Sequence, residues 1–459
     1  MDLMNHKKQY FGTNGIRGII GQDMTPQLAL NIAESVAMLL GQGSSIGVGK
    51  DTRTSGEMLL YSVKAGLLAC GCNVIDFGTI PTPCLQYLVL KRKLNGGIMI
   101  TASHNPPEYN GIKIIDSDGT EMDDSKIIEL EHIFTNKTSS HVDWNHIGSV
   151  SSDLNGYQSY IDAIVAQFPK NCGAGITVVV DSGNGPASIT TPEILKKLGA
   201  TVYIINECFD GRFPGRLPEP SIEGLKKLSS KVISTNANFG VAHDGDADRA
   251  IFVDETGNFI DGNLSLGLIS SYLCSKSSGN GVIVTPISTS SLIEDIAMKY
   301  NCRIEHTMVG SIYVARKMRY LIENGDNVVI GGEGNGGIIY PDHMFCRDGG
   351  MSVATMLCLV SELSKPLSTL ISELPKYTMY QQKLKIKISG SKIINHLKIH
   401  FNTDKLDLRD GIRICRNNSW ALVRLSGTEP LIRIYTESKN PIEAKCIMDE
   451  IITEISKLQ

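Results

Sequence analysis

The chain has 459 residues, 42% hydrophobic and 20% charged, with a formal net charge of -4. That length exceeds one compact core and predicts several domains; the mild acidity argues against nucleic-acid binding, and no apolar run approaches the ~20 residues that cross a bilayer. The 11 cysteines are scattered without a CxxC pair, which fits buried thiols in a reducing compartment, and the polar N-terminus has no apolar signal core, so a cytoplasmic protein is expected.

One unit recurs along the chain. A short apolar strand ends in a polar or glycine-containing loop, an amphipathic helix follows, and a second β-rich run closes the unit. Residues 46–49 lead through KDTR into a helix pattern at 55–69 and a β-rich run at 73–78; 176–180 lead through DSGNG into 186–199 and 201–206; 282–284 lead through TPISTS into 291–300 and 302–307. Such strand-helix-strand units need crossover connections and build α/β sheets. Three similar mixed-sheet α/β domains are expected, over 1–150, 151–253 and 254–371, with the polar stretch 135–153 as a linker. The rest differs: β-like runs at 383–389, 411–416, 420–426 and 431–437, with helix patterns at 391–400 and 441–458, predict a smaller α+β domain over 372–459.

Four segments carry chemistry. An apolar strand at 98–101 runs out into Ser103, His104 and Asn105, and Pro106 and Pro107 prevent a helix there. This places a serine hydroxyl at the carboxyl end of a strand, where open α/β sheets bind ligands; a bare Ser-His-Asn triplet would equally suit a polar turn. Asp244, Asp246 and Asp248 alternate just beyond the apolar run 239–242. In extended chain they would share one face, and carboxylates held together repel unless a cation neutralises them. Hard oxygen ligands of this kind suit Mg2+, against the plainer reading of an acidic surface turn. The loop 331–337, GGEGNGG, offers Glu333 and Asn335 to hydroxyls or is merely a flexible turn, and lacks the GK[ST] of a P-loop. The segment 424–430, RLSGTEP, brings Arg424, Ser426, Gly427 and Thr428 together as a phosphate cradle or as a polar β-turn.

In combination and in this order, FGTNGIRG at 11–18, TASHNPPEYNGIK at 101–113, FPGRLPEP at 213–220, DGDADR at 244–249 and RLSGTEP resemble the α-D-phosphohexomutase superfamily over almost the whole chain. The resemblance implies four domains around a central cleft. It implies that Ser103 is the serine phosphorylated in the active enzyme, and that Asp244, Asp246 and Asp248 hold Mg2+ together with an oxygen of that group. Arg17, Arg249 and His104 would lie beside it, with Lys113 as a candidate for proton transfer. Arg216, Glu333 and Asn335 would bind the sugar phosphate, and Arg424, Ser426, Gly427 and Thr428 its non-transferring phosphate. A hexose 1,6-bisphosphate would act as activator, a small-molecule sugar phosphate as partner, and a homodimer is compatible. At 306–313 the chain resembles the T-x-V-G-D-R-Y of phosphoglucosamine mutases, with Ser311 and Ile312 replacing Asp-Arg, and it lacks the Gly-His-Ser of the mannose/glucose subgroup; Asn335 stands where many relatives carry serine, and Leu217 where asparagine is common. Glucosamine 6-phosphate to glucosamine 1-phosphate is the expected reaction, phosphomannomutase/phosphoglucomutase activity the alternative, and phosphate hydrolysis a rival outside the class.

Overall fold

The computed structural model describes residues 11–12, 15–136, 140–277, 279–425 and 431–458. They form two compact units, one made of the chain up to 262 together with 336–370, the other of 263–335 together with the chain from 371 on.

The first sheet of the first unit runs in the order Ile16–Ile19, Tyr109–Asp116, Gly96–Ile100, Ser45–Lys50, Asn73–Thr79, Val150–Ser152. Ser45–Lys50 pairs in parallel with Gly96–Ile100 and Asn73–Thr79, and Tyr109–Asp116 returns antiparallel beside Gly96–Ile100. The two-residue period sorts Ser45–Lys50 onto two faces. Ile46 and Val48 join a core shared with the helices Pro26–Leu40 and Gly56–Ala69. Gly47 and Gly49 face the other way, where a Cβ would stand 3.0 Å from Leu94 and 3.1 Å from Phe77 at position 47, and 3.1 Å from Ile80 at position 49.

The second sheet repeats this plan in the order Phe259–Ile260, Ala250–Asp254, Phe239–His243, Thr177–Asp181, Thr201–Ile205. Thr177–Asp181 takes the place of Ser45–Lys50, parallel to both neighbours, and Ala250–Asp254 again returns antiparallel. The unit also takes in the hairpin Gly337–Tyr340/Met344–Arg347 and the helix Gly349–Leu363. That helix packs on Tyr157–Val165 and Thr191–Lys197.

In the second unit, Val282–Pro286 lies parallel between Arg303–Thr307 and Val328–Glu333. The C-terminal sheet is antiparallel, in the order Thr378–Lys385, Leu431–Ser438, Ser419–Leu425, Ile412–Arg416, Lys405–Asp407. The helices Gly390–His400 and Pro441–Ser456 cover it through Ile393, Leu397, Ile447 and Ile451 against Ile432 and Ile434.

Four expectations change. The stretch 135–153 is not a bare linker: its first residues end the helix Asp124–Asn136, and Val150–Ser152 adds an edge strand to the first sheet. The helix pattern at 186–199 breaks into a 3-10 turn, Pro186–Ile189, and a helix, Thr191–Lys197, because Pro192 lacks an N–H and would clash with a preceding turn. The strand expected at 383–389 lies at Thr378–Lys385, drawn there by an eight-residue ladder with Leu431–Ser438; Ile386 and Ile388 pack on the helical core instead. Finally, Cys172 and Cys358 form a disulfide, while the other nine cysteines are free. The two are 186 residues apart with Cα atoms 5.4 Å from each other, a proximity created by the packing of Gly349–Leu363 and invisible in cysteine spacing. Among the described residues no helix is long and apolar enough to cross a membrane.

Candidate active site

Ser103 follows the third strand of the first sheet and Asp244 follows the third strand of the second. The two loops meet. Ser103 Oγ donates to Asp244 Oδ2 at 2.9 Å, and both residues are fully buried. Gly245 makes the approach possible, since a Cβ there would stand 2.3 Å from the Ser103 carbonyl oxygen. Ser103 itself holds a left-handed backbone, φ 50°, which L-residues adopt at a cost on the order of 1–3 kcal/mol.

Asp244, Asp246 and Asp248 are buried, with ligand oxygens within 4.8 Å of one another. They converge through a turn, not through the extended alternation expected from the sequence: 244–249 leave the strand, and Ala247 takes φ 59°. His243 closes the turn. Its Nδ1–H donates to the Arg249 carbonyl at 2.8 Å, so Nε2 accepts from Thr191 Oγ1 at 3.0 Å, and burial lowers its pKa to about 4.

Cations face the carboxylates. Lys113 Nζ lies 2.6 Å from Asp246 Oδ2 and 3.3 Å from Asp248 Oδ2. Burial alone would depress the Lys113 pKa, but Asp246 and Asp248 outweigh it and hold the ammonium charged. Arg347 Nη2 reaches Asp248 Oδ2 at 2.5 Å, and Thr82 Oγ1 donates to Asp246 Oδ2 at 2.6 Å. Burial, then Asp248 and Asp246, push the Asp244 carboxyl well above its ordinary range. Asp246 Oδ1 and Asp248 Oδ1 are buried without a hydrogen-bond partner. Such atoms are costly, and two orphaned carboxylate oxygens beside a third carboxylate and a hydroxyl are a donor set for a hard divalent cation. The triad fits a metal ion.

Arg249 Nη2 donates to His104 Nδ1 at 2.9 Å, which fixes that imidazole nitrogen as an acceptor. Burial, Arg249 and Arg17 lower the His104 pKa to about 3, so the ring is neutral. Arg17 donates to Asn105 Oδ1 at 3.0 Å. Thus Ser103, His104, Lys113, Arg17, Arg249 and the three aspartates come together. Arg216 lies beside the strand that leads into the aspartate turn. It is buried and donates to Asp181 Oδ2, Leu217 O and His243 O, so its fork is spent on protein partners. Glu333 and Asn335 belong to the second unit, where Asn335 Nδ2 lies 3.4 Å from Glu333 Oε2. Arg424, also there, donates to Asp410 Oδ2 at 2.8 Å. Ser426, Gly427 and Thr428 lie outside the described residues.

Sequence reasoning missed Thr82, Arg347 and Arg53. Thr82 and Arg347 reach the triad from sequence-distant elements with no motif around them. Arg53 lies in KDTR, which reads from sequence only as a loop, and it donates to four carbonyls of the serine loop.

A buried serine hydroxyl bonded to a cluster of three carboxylates able to hold a cation, both at strand ends of α/β sheets, is suited to group transfer at the serine oxygen. Comparison with known proteins gives the family. Models described as phosphoglucomutase/phosphomannomutase α/β/α domains I, II and III match residues 8–141, 158–257 and 261–377, and the C-terminal domain model matches 385–454. The chain belongs to the phosphoglucomutase/phosphomannomutase family and has its fold, three α/β domains and a C-terminal fourth. It is 41% identical to a phosphoglucomutase/phosphomannomutase of Thermococcus kodakarensis, covering 95% of this chain and 96% of that one. It is 37% identical to a phosphoglucosamine/phosphogalactosamine mutase of Sulfurisphaera tokodaii, over 96% and 98%. A crystal structure of a phosphoglucomutase/phosphomannomutase family protein from Burkholderia thailandensis superposes with a TM-score of 0.84 at 25% identity, over 97% of each chain. The family is one of phosphohexomutases, which are isomerases, and this chain is an enzyme of that class.

Proposed function

We propose that the chain interconverts hexose 6-phosphate and hexose 1-phosphate with Ser103 as the phosphate carrier. The observation that carries this reading is the Ser103 Oγ–Asp244 Oδ2 contact of 2.9 Å beside two orphaned carboxylate oxygens. Transfer breaks the Oγ–P bond of phosphorylated Ser103 and forms an O–P bond to the free hydroxyl of the sugar monophosphate, giving a bisphosphate and serine. The bisphosphate then presents its other phosphate, and the reverse step regenerates phosphorylated Ser103 and releases the isomer. The net proton passes from the accepting sugar hydroxyl to Ser103 Oγ in the first step, and from Ser103 Oγ to the sugar oxygen that is released in the second.

Asp244, Asp246 and Asp248 would hold Mg2+, which supplies charge neutralisation at the transferring group when bound. A phosphoserine carries about -1.5 to -2 charge, and the chain's own share of the compensation comes from Arg249, Arg17, Lys113 and Arg347. Lys113 is charged in the resting site, which suits it to donate a proton and to steady an anionic oxygen. Glu333 and Asn335 would bind sugar hydroxyls, and Arg424 with Ser426, Gly427 and Thr428 the phosphate that is not moving. Phosphoryl transfer depends mainly on such positioning and electrostatics.

The 306–313 stretch and the acidic Glu333 favour glucosamine phosphate as the sugar. A second reading, mannose or glucose phosphate, draws on the name of the Thermococcus relative at 41% identity. Coupled assays across glucosamine, glucose and mannose 1-phosphates, each with a hexose 1,6-bisphosphate, test both. Release of free phosphate in place of isomer would turn the reading toward a phosphatase.

A further inference from the structure

The serine and aspartate loops rest on the same device, built twice. Asp51 directly follows the strand Ser45–Lys50 of the first sheet, and Asp181 ends the equivalent strand Thr177–Asp181 of the second. Asp51 Oδ1 accepts the N–H of Arg53 at 2.9 Å, and Asp181 Oδ1 accepts the N–H of Gly183 at 2.9 Å, each two residues on. Asp51 Oδ2 accepts Arg53 Nε at 3.1 Å; Asp181 Oδ2 accepts Arg216 Nε at 2.8 Å. Each arginine then turns Nη2 to a carbonyl at the carboxyl end of the neighbouring functional strand: Arg53 to Ser103 O in the loop at 2.8 Å, Arg216 to His243 O, the last strand residue, at 2.5 Å. Both arginines are buried, at 1% and 7% exposure.

We propose that Arg53 and Arg216 are duplicated positioning residues, one setting the backbone that carries Ser103 and the other setting the entry to the aspartate loop. Arg53 spends every guanidinium hydrogen, since Nη1 takes Pro106 O and Tyr109 O at 2.6 and 2.8 Å, and Nη2 takes Asn105 O at 2.6 Å besides Ser103 O. Four carbonyls of one loop are thereby gathered on a single planar fork, a geometry that the three donors of one lysine nitrogen do not span. Asp51 completes the frame. Its Oδ2 accepts Thr101 Oγ1 at 2.6 Å, and that oxygen accepts the Ser103 N–H at 2.8 Å. Ser103 is thus held at its N–H and its carbonyl by one ion pair, which sustains its left-handed backbone. The two devices also touch: the Arg53 guanidinium lies 5.2 Å from the ring centre of Phe213, three residues before Arg216. Neither arginine reaches the reacting atoms, so both act through the loops that they fix.

The kinetic consequence rests on the phosphate-carrier reading of Ser103, whereas the structural consequence does not. The test uses the full chain with Arg53→Lys and Arg216→Lys. Arg53→Lys should speed backbone amide hydrogen exchange across 101–111 and leave 243–249 as in the wild type. It should lower kcat, and the rate of Ser103 phosphorylation by glucose 1,6-bisphosphate, by about tenfold or more while KM stays within about twofold. Arg216→Lys should do the reverse, loosening 243–249 and raising the Mg2+ concentration needed for half activity. If Arg53→Lys does not fold, Asp51→Asn carries the same test, because it removes the charge and keeps the shape. Wild-type exchange and kcat in these variants, or a loss of kcat that merely follows the folded fraction, would overturn the proposal. If wild-type Ser103 accepts no phosphate, the carrier reading falls and the exchange pattern alone decides whether the arginines position the loops.

Discussion

Replacing Asp246 by asparagine separates a cation site from a structural salt bridge. Asp246 Oδ2 accepts Lys113 Nζ and Thr82 Oγ1, both at 2.6 Å, while Oδ1 has no partner. Breaking an isolated buried ion pair costs about 3–5 kcal/mol. Here the loss is smaller, because Lys113 keeps Asp248 at 3.3 Å and one of three mutually repelling carboxylates disappears. A destabilisation on the order of 1–2 kcal/mol without metal is expected, close to one charge-assisted hydrogen bond. The effect on function should exceed the effect on folding. A binding ion stabilises the native state in proportion to RT ln(1 + [L]/Kd), so wild-type protein should gain melting temperature on titration with Mg2+ and Asp246→Asn should lose most of that gain. Turnover at saturating sugar phosphate should fall at least about tenfold, about 1.4 kcal/mol or more in the barrier. Thermal unfolding with and without Mg2+, paired with activity against metal concentration, measures both. A variant with the wild-type metal midpoint and wild-type turnover would show that the triad holds no functional ion.

Arg424→Ala should raise KM and lower kcat by removing charge-assisted bonds to the idle phosphate, yet leave Ser103 able to accept phosphate; steady-state kinetics with unchanged KM and kcat would reduce 424–430 to an ordinary turn. The highest kcat/KM should be found with glucosamine phosphate, with detectable turnover of glucose or mannose phosphate, in coupled assays run side by side. Mannose phosphate turning over tenfold better would reverse the sugar assignment and leave the family and the serine-aspartate geometry standing.

What the sequence disclosed and what it hid follow from the range of the interactions. Strand-helix alternation is local, so the strands Ser45–Lys50, Thr177–Asp181 and Val282–Pro286 fall where their apolar runs predict. Ser103 and the aspartates are legible because each sits in a loop directly after an apolar strand. Their convergence is less so: it needs a turn with Ala247 at φ 59° and a glycine at 245, and period-two alternation describes neither. Arg347, Thr82 and the Cys172–Cys358 bond are fixed by contacts between segments 99, 164 and 186 residues apart, which no local pattern records. Arg216 sits in the motif 213–220, and its burial against Asp181 and His243 is likewise invisible in the local sequence.

Ser103 is the residue on which the transfer depends. Wild-type protein incubated with glucose 1,6-bisphosphate and Mg2+, then digested and analysed by mass spectrometry, should carry one phosphate on the peptide containing Ser103; Ser103→Ala should carry none and lose nearly all mutase activity. A fully active Ser103→Ala enzyme, or phosphate found only on another residue, would contradict it.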